Sequence, residues 1–511
     1  MLEVGLGFAV ALLAGCAGDT SGGVVSGGGG NGPQVVRIGG SQVEMVRDIA
    51  YDRENGIIMV GSTRSPNFPT TAGVLDQTFN GVGDAFIARF DSIGTLTWST
   101  VLGGPGFDRA YAVEVDSLGF IYVAGRAGEG FPVTVGTFQA GFGGGKAGPP
   151  YETQDGFVCK LAPGARSIVF CSYFGTDDNQ PVRDLAVDRN GDVYLASSAL
   201  STSRPLPSSW FEGTVGPAPK GDVDGVVAKI SGDGSRVLWA TYLGGSGAES
   251  GEPSIRLAHN GDPVVFYISV STDAPAPNGF QSRLLGVSDA YVARLSADGR
   301  RLVFATYLGG NGIELSETHN LALDPDDNVY VAAGTLSEDF PVTATAIQRR
   351  YGGTGQRGQG DRTNYPGDAF VAKISSDGRR LLAATYLGGA AGEAIEGIAL
   401  DSRGSVIVSG ATFSADLAAT ADAPQRSLLG RADGFVAVLA PDLDRLEFLT
   451  FLGGEAEDLG RASATSRSGS FAAAGSSASR VFLGVTKDLG RRPQPDAFLV
   501  RFPPLPARSS P

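Results

Sequence analysis

Two short signals return seven times along the 511-residue chain, always in the same order, and they limit its fold more than any other feature. One is a Leu-Gly-Gly-like turn, starting at Ile38, Leu102, Phe174, Leu243, Leu308, Leu387 and Leu452. The other is a strand opening on Asp and a small residue, at Asp84, Asp155, Asp224, Asp289, Asp368, Asp433 and Asp496. Recurrence at roughly 65 to 79 residues marks a repeat architecture, whose units bury their faces against one another.

A single unit predicts its own strands. Leu321 to Asp324, Val329 to Gly334, Asp368 to Ile374 and Leu381 to Gly389 are short runs rich in β-branched and aromatic residues. Polar turns such as Pro325-Asp-Asp-Asn328 and Ser376-Asp-Gly378 bound them and supply residues that tolerate positive φ. Helical periodicity is confined to the N-terminus. Each unit is therefore expected to hold four antiparallel strands, here called a, b, c and d. Set radially, such units become propeller blades that cover both faces of every sheet. The ends predict closure: Val35 to Gly40 reads as an isolated d strand, and Asp496 to Phe502 as a c strand lacking its d partner. The expectation is an all-β, seven-bladed β-propeller over 35–502, its last blade completed by the N-terminal strand.

These elements resemble the SBBP-type bacterial β-propeller repeat. The likeness rests on Leu-Gly-Gly, on the run from Asp116 to Gly125, on Asp339-Phe-Pro-Val-Thr343 and on Asp-Ala-Phe-Val-Ala-Lys. It covers nearly all of 35–502 and is weakest in blades four and seven, where His259-Asn-Gly-Asp and Ser466-Arg-Ser-Gly replace the acidic turn. The resemblance implies a secreted or cell-surface protein and brings no enzymology with it.

Upstream, Val4 to Leu13 is an apolar run too short to span a bilayer, and it ends in Leu13-Ala14-Gly15-Cys16. That tetrapeptide resembles a bacterial lipobox with Cys16 as the lipidated residue, although the segment before it carries Glu3 and no Lys or Arg. On this reading 1–16 is a lipoprotein-type signal segment, 17–34 a Gly- and Ser-rich tether and 503–511 a disordered tail. The expected location is extracytoplasmic, lipid-anchored to the outer membrane or cell surface, with Ala17 after the cysteine matching outer-membrane sorting. Membrane contact is then made only by the N-terminal lipid.

Two cysteines remain, Cys159 and Cys171, both in blade two. They stand where blades four and five have Ala293 and Ala305, and Ala372 and Ala384, on neighbouring strands. A disulfide is expected; two buried thiols packed as small apolar groups are the alternative. A formal charge of -14 excludes the basic footprint of a nucleic-acid binder. With only His259 and His319 in the chain, a His-rich metal site is excluded and a Ser-His-Asp triad disfavoured; each reads as a polar strand residue.

Chain direction places the b–c and d–a connections on one face. All long insertions are b–c loops (64–83, 127–154, 199–223, 271–288, 336–367, 412–432 and 477–495), so that face is elaborate and the other plain. Counting six residues from each Gly-Gly element reaches Glu44, Asp108, Gln180, Glu249, Glu314, Glu393 and Asp458. One reading is an acidic collar able to hold Ca²⁺. The other has each side chain accept hydrogen bonds from its own tight turn, and uniform recurrence favours it. The Asp residues that open strand c receive the same reading. Inner-strand positions aligned at Arg47, Tyr111, Arg183, Ser254, His319 and Glu396 differ between blades and are candidates for lining the central channel.

In the longest loop Arg349, Arg350, Arg357 and Arg362 interleave with glycines and suit an anion-binding loop, against the simpler reading of a solvated segment. Trp210, Phe211 and Tyr365 are candidate contact aromatics, whereas Trp98 and Trp239 align with Phe304 and Phe170 as core residues. The Ser-x-Asp-Gly hairpins at Ser296 and Ser375 are read as structural turns. Two functions fit. One is a monomeric binding or scaffold module that engages a protein or glycan through its b–c loops and requires no cofactor. The other is an extracellular polysaccharide hydrolase or lyase with its site at the channel. Binding is favoured, because the prominent carboxylates repeat in every blade whereas catalysis needs an acid and a base with separated pKa values.

Overall fold

Strand b of blade six, Val406–Thr412, is buried along its whole length, as a strand must be when other sheets cover both of its faces. The same pattern holds for Ile57–Thr63, Ile121–Ala127 and Val329–Thr335. Their covering comes from the neighbouring blades. Tyr330, Ala332 and Val371 of blade five pack with Ile395, Val406, Val408 and Phe435 of blade six in one continuous cluster. The hydrophobic core is thus a set of wedges between sheets.

The computed structural model describes residues 32–144, 153–177, 180–200, 205–316, 319–353, 367–490 and 495–506. It contains seven antiparallel sheets, each built in the order a-b-c-d. The inner a strands are Glu44–Tyr51, Arg109–Val115, Asp184–Val187, Glu249–Leu257, the pair Glu314–Leu315 and Leu321–Leu323, Glu393–Leu400 and Asp458–Thr465. The N-terminal strand Gln34–Ile38 lies antiparallel to Asp496–Phe502, with Val36 opposite Leu499 and Arg37 opposite Phe498. Sheet seven is closed from both ends of the chain, which makes the protein a seven-bladed all-β propeller.

Turn chemistry explains the hairpins. Asp116 Oδ1 accepts from the N–H groups of Leu118 and Phe120 at 2.9 and 3.0 Å and holds the a–b turn of blade two. The divergent turns at His259 and Ser466 keep the backbone bonds, Gly261 N–H to Ala258 O at 2.8 Å and Gly469 N–H to Ser466 O at 3.1 Å. In the c–d hairpins Ser296 Oγ donates to Asp298 Oδ1 at 2.6 Å. There Gly299, at φ 70°, lies so close to the Trp239 ring of the preceding blade that a Cβ would stand 2.7 Å from a ring carbon. Glycine is needed twice over at that position.

Cys159 and Cys171 are directly opposite on strands c and d, with Cα atoms 4.1 Å apart, and form the expected disulfide. Ala293 faces Ala305, and Ala372 faces Ala384, in the same register.

Two features were not foreseen. Blade seven gains a short outer strand, Lys487–Leu489, parallel to the closing strand, and Thr486 clips to Val35 at 2.7 and 3.0 Å. This b–c loop covers the edge of the sheet that the two chain ends share. The second is in blade five, whose inner strand is broken, with His319 between its halves in the left-handed region at φ 59°. His319 is therefore not a strand residue, as its polar-strand reading supposed. The other histidine, His259, sits in an exposed turn with Nδ1 2.8 Å from Asp327 Oδ1.

Candidate functional site

The collar residues lie at the start of the inner strands on the loop-rich face, Gln180 four residues ahead of its strand, and all of them are buried. Their oxygens are taken up by their own blades, except Glu314 Oε2, which is buried without a hydrogen-bond partner. Glu44 accepts from Gly40 N–H at 3.1 Å and Thr63 Oγ1 at 2.8 Å; Glu393 does the same with Gly389 at 3.0 Å and Thr412 at 2.8 Å. Asp108 accepts from Gly104 and Gly128 N–H at 2.8 and 2.9 Å. Glu249 takes Gly245 and Ser269, Glu314 takes Thr335 and Ser337, and Asp458 takes Gly454 and Ser479. Gln180 meets Thr176 Oγ1 at 3.3 Å. Burial pushes Glu44, Asp108 and Glu393 up to about 7 and Glu314 to about 8, although the turn hydrogen bonds pull the other way. Among the described residues no group of three or more His, Cys, Asp or Glu side chains is arranged to hold a metal ion.

Three residues further along, the strands become irregular. Register shifts interrupt the a–b pairing at Arg47, Tyr111, Glu396 and Arg461, and across the segment of blade four that contains Glu252. A bulge re-aims the extra side chain, as it does here in blades one, two, four, six and seven, while Arg183 of blade three directly precedes its inner strand. Each stands three positions after its collar residue: Arg47 after Glu44, Tyr111 after Asp108, Arg183 after Gln180, Glu252 after Glu249, Glu396 after Glu393, Arg461 after Asp458. The same count in blade five ends at 317, outside the described residues. At ~3.3 Å per residue this layer lies about 10 Å below the rim.

The layer is dominated by guanidinium groups. Around the Tyr111 ring stand Arg183 at 4.3 Å, Arg47 at 5.4 Å, Arg126 at 5.7 Å and Arg109 at 5.9 Å from its centroid. Arg109 and Arg126 face each other on strands a and b of blade two, and with Arg64 they also surround Phe107 at 5.0 to 5.4 Å. Carboxylates enter from the far side. Glu252 pairs with Arg183 at 2.5 Å, and Glu396 pairs with Arg461. Burial raises the Tyr111 phenol, but Arg126, Arg183, Arg109 and Arg47 outweigh it and bring the group down to about 7. The Glu252 carboxyl is likewise raised by burial and lowered further by Arg183, Arg47, Arg461 and Arg109.

Deeper along the strands the balance reverses. Asp48, Asp184 and Glu114 meet Arg256 and His319. Arg256 pairs with Asp184 at 2.7 Å; His319 Nδ1 is 3.4 Å from Asp184 and its Nε2 2.9 Å from the Tyr111 carbonyl. The break in blade five thus lets its histidine reach blades two and three. Burial lowers the His319 imidazole, but Asp48 and Asp184 prevail and raise it to about 9. Burial raises Glu114 to about 7. Asp48 also accepts from Val113 N–H at 2.8 Å and Asp184 from Ile255 N–H at 2.9 Å, so this layer ties neighbouring inner strands together.

Of the channel candidates, Arg47, Tyr111, Arg183 and Glu396 share the upper layer and His319 the lower. Ser254 is buried, its Oγ accepting from Asn320 N–H at 2.9 Å. In blade four the axial residue is Glu252, two positions before Ser254, and in blade seven it is Arg461; neither is among the sequence candidates. The constant offset of three from the collar was the signal for both. Arg109 and Arg126 carried no repeat signal at all.

Arg349 and Arg350 are exposed on their loop, while Arg357, Arg362, Tyr365 and Cys16 lie outside the described residues. Trp210 and Phe211 are packing residues: Trp210 meets Phe138 and Phe174 at 6.0 Å, and Phe211 stacks on Tyr242 at 4.4 Å. Trp239 is buried and donates to Ala297 O at 3.2 Å, and Trp98 packs partly buried against the core.

A seven-bladed propeller with a bulge-built axial cluster is the class this geometry defines. The model of the SBBP beta-propeller repeat matches residues 303–341, so the chain is a propeller that carries this repeat. The regulatory protein FlaEY of Caulobacter vibrioides is 25% identical over 275 residues, which are 53% of this chain and 24% of that protein. The chain thus spans 24% of the length of that relative. Solved structures of similar fold include a protein of unknown function from Dyadobacter fermentans (12% identical, TM-score 0.38, 74% of this chain and 93% of that one). Another is an ulvan lyase, a polysaccharide lyase (10% identical, TM-score 0.42, 86% and 92%). A third is the quinohemoprotein alcohol dehydrogenase ADHIIG of Pseudomonas putida (10% identical, TM-score 0.39, 94% and 78%).

Proposed function

We propose that the protein is an extracytoplasmic binding module, held to the cell envelope through Cys16, that engages a glycan or protein partner on its loop-rich face. The observation that carries this reading is the contrast on that face. The repeated carboxylates are buried and bonded to their own turns, so what differs from blade to blade is the b–c loops and the axial residues they surround. A rigid ring that presents variable segments around a polar centre suits recognition.

A second reading, acid–base chemistry on an anionic glycan, is favoured by one feature. Tyr111 combines a phenol brought down to about 7 with adjacent guanidiniums, a base beside charge-neutralising groups. Its 1% exposure counts against direct contact with a polymer.

A glycan array and a polysaccharide-depolymerisation assay on the purified protein separate the two. Saturable binding without product, weakened when the 199–223 loop is shortened, is the expected result. Release of oligosaccharides abolished by Tyr111→Phe would overturn binding in favour of catalysis.

A further inference from the structure

We infer that the upper axial layer is a binding site for a hydroxyl-bearing oxyanion, the chemistry of a sugar acid or sugar phosphate, with Arg47 holding the anion and Glu252 the hydroxyl. The inference rests on the binding reading above and names the ligand class of that face.

Its basis is a pair of unanswered polar groups. Arg47 is 4% exposed, and its guanidinium makes no hydrogen bond or ion pair among the described residues; its contact is the face of Tyr111 at 5.4 Å. The buried Nε–H of that guanidinium has no acceptor, which is unfavourable. Glu252, whose carboxyl feels the Arg47 charge, uses one oxygen on Arg183 and leaves Oε2 buried without a donor. An unanswered planar donor and an unanswered acceptor thus border the same Tyr111–Arg183 contact. A carboxylate or phosphate matches the guanidinium fork, and a neighbouring hydroxyl donates to Glu252.

The surroundings favour the same guest. Among the described residues the layer holds the guanidiniums of Arg47, Arg109, Arg126, Arg183 and Arg461 against the carboxylates of Glu252 and Glu396, within a chain of net charge -14. A cationic layer in an acidic protein attracts anions locally while the outer surface repels them. The side chains of Arg183 and Glu252 are 19% and 17% exposed, the most open of the layer, so access runs past that pair.

The test uses the full purified protein, with glucuronate, glucose 6-phosphate, inorganic phosphate and glucose as probes in titration calorimetry. Glucuronate or glucose 6-phosphate is expected to bind saturably, inorganic phosphate more weakly and glucose not at all, and the preferred one identifies carboxylate or phosphate as the natural anion. Arg47→Met is expected to weaken the preferred probe by at least about tenfold, and Arg47→Lys by less, since Lys keeps the charge and loses the fork. Glu252→Gln should shrink the advantage over inorganic phosphate. A second readout is the near-ultraviolet phenolate band of Tyr111, which should fall near neutral pH on binding because the guest neutralises the surrounding cations. No binding at millimolar probe, or binding indifferent to Arg47→Met in a folded variant, overturns the site. Equal affinity for inorganic phosphate and both sugar anions overturns the role of Glu252. Loop-dependent partner binding that survives in Arg47→Met, with none of these probes bound, removes this inference and leaves the binding reading intact.

Discussion

The collar and the axial layer lie three residues apart on the same strands, yet they obey different rules. A collar residue answers to the turn of its own blade, so the same requirement recurs in every repeat and is met by Glu, Asp or Gln alike. An axial residue faces its counterparts across the ring, and its partners come from other blades: Arg183 of blade three meets Glu252 of blade four, and Arg461 of blade seven meets Glu396 of blade six. Recurrence therefore marks what each blade needs in order to fold. Divergence at a recurrent position marks what the assembled ring does. Blade three provides an experiment already done, since Gln180 holds a collar place without a charge.

The largest effects should come from the collar. Glu393→Ala leaves the Gly389 N–H and the Thr412 hydroxyl without their acceptor inside the protein and should cost about 2–4 kcal/mol in urea unfolding. Glu393→Gln keeps an acceptor and should cost less than about 1 kcal/mol. If the two variants proved equally damaging, charge would matter at the collar and the contrast with the axis would collapse. Millimolar Ca²⁺ should leave the melting temperature of the wild type unchanged, because every collar carboxylate oxygen except Glu314 Oε2 already has a donor and one oxygen cannot hold the cation; a rise would restore the cation reading.

What could be read without coordinates follows the same division. Seven blades, the clasp between Val36 and Leu499 and the pairing of Cys159 with Cys171 depend on rules that each repeat restates, and internal comparison exposes them. The axial layer was legible only where strand register could be carried from blade to blade, as at Arg47, Tyr111, Arg183 and Glu396. It failed where bulges alter the count, which concealed Glu252. Arg109 and Arg126 flank Tyr111 within the a–b hairpin of blade two, at positions the other blades do not repeat, whereas Arg47 and Arg183 reach it from the neighbouring blades. The flanks of His319, Glu314–Leu315 and Leu321–Leu323, read in the sequence as one continuous strand; the chain gives up that continuity to place an imidazole between Asp184 and the Tyr111 carbonyl.

At the axis the sign of the effect should reverse. Arg47→Met removes a buried cation that has no acceptor among the described residues and retains most of the apolar stem. In anion-free buffer the variant should be about 1–2 kcal/mol more stable than wild type. Stability gained on deleting a charged residue indicates a position kept for something other than folding. A loss comparable to Glu393→Ala would instead place Arg47 among the structural groups and erase the distinction.

The smallest effect separates the two layers by pH. The collar carboxyls are raised, Glu44 and Glu393 to about 7, so their contribution is present below the unfolded carboxyl range and is lost as pH rises through about 7. Tyr111 has the opposite sign. Its phenol is depressed from 10.0 to about 7, so its contribution is present above pH 10.0 and is lost as pH falls through about 7. His319, raised to about 9, loses its contribution as pH climbs through that value and partly offsets Tyr111 in the wild type. Comparing wild type with Tyr111→Phe cancels the collar and most of the His319 contribution. The stability difference between the two proteins should be flat below pH 7 and grow in favour of wild type toward pH 10.0. A difference flat across the whole range would mean that the guanidiniums around Tyr111 do not hold its phenolate, and that the axial layer is as self-contained as the collar above it.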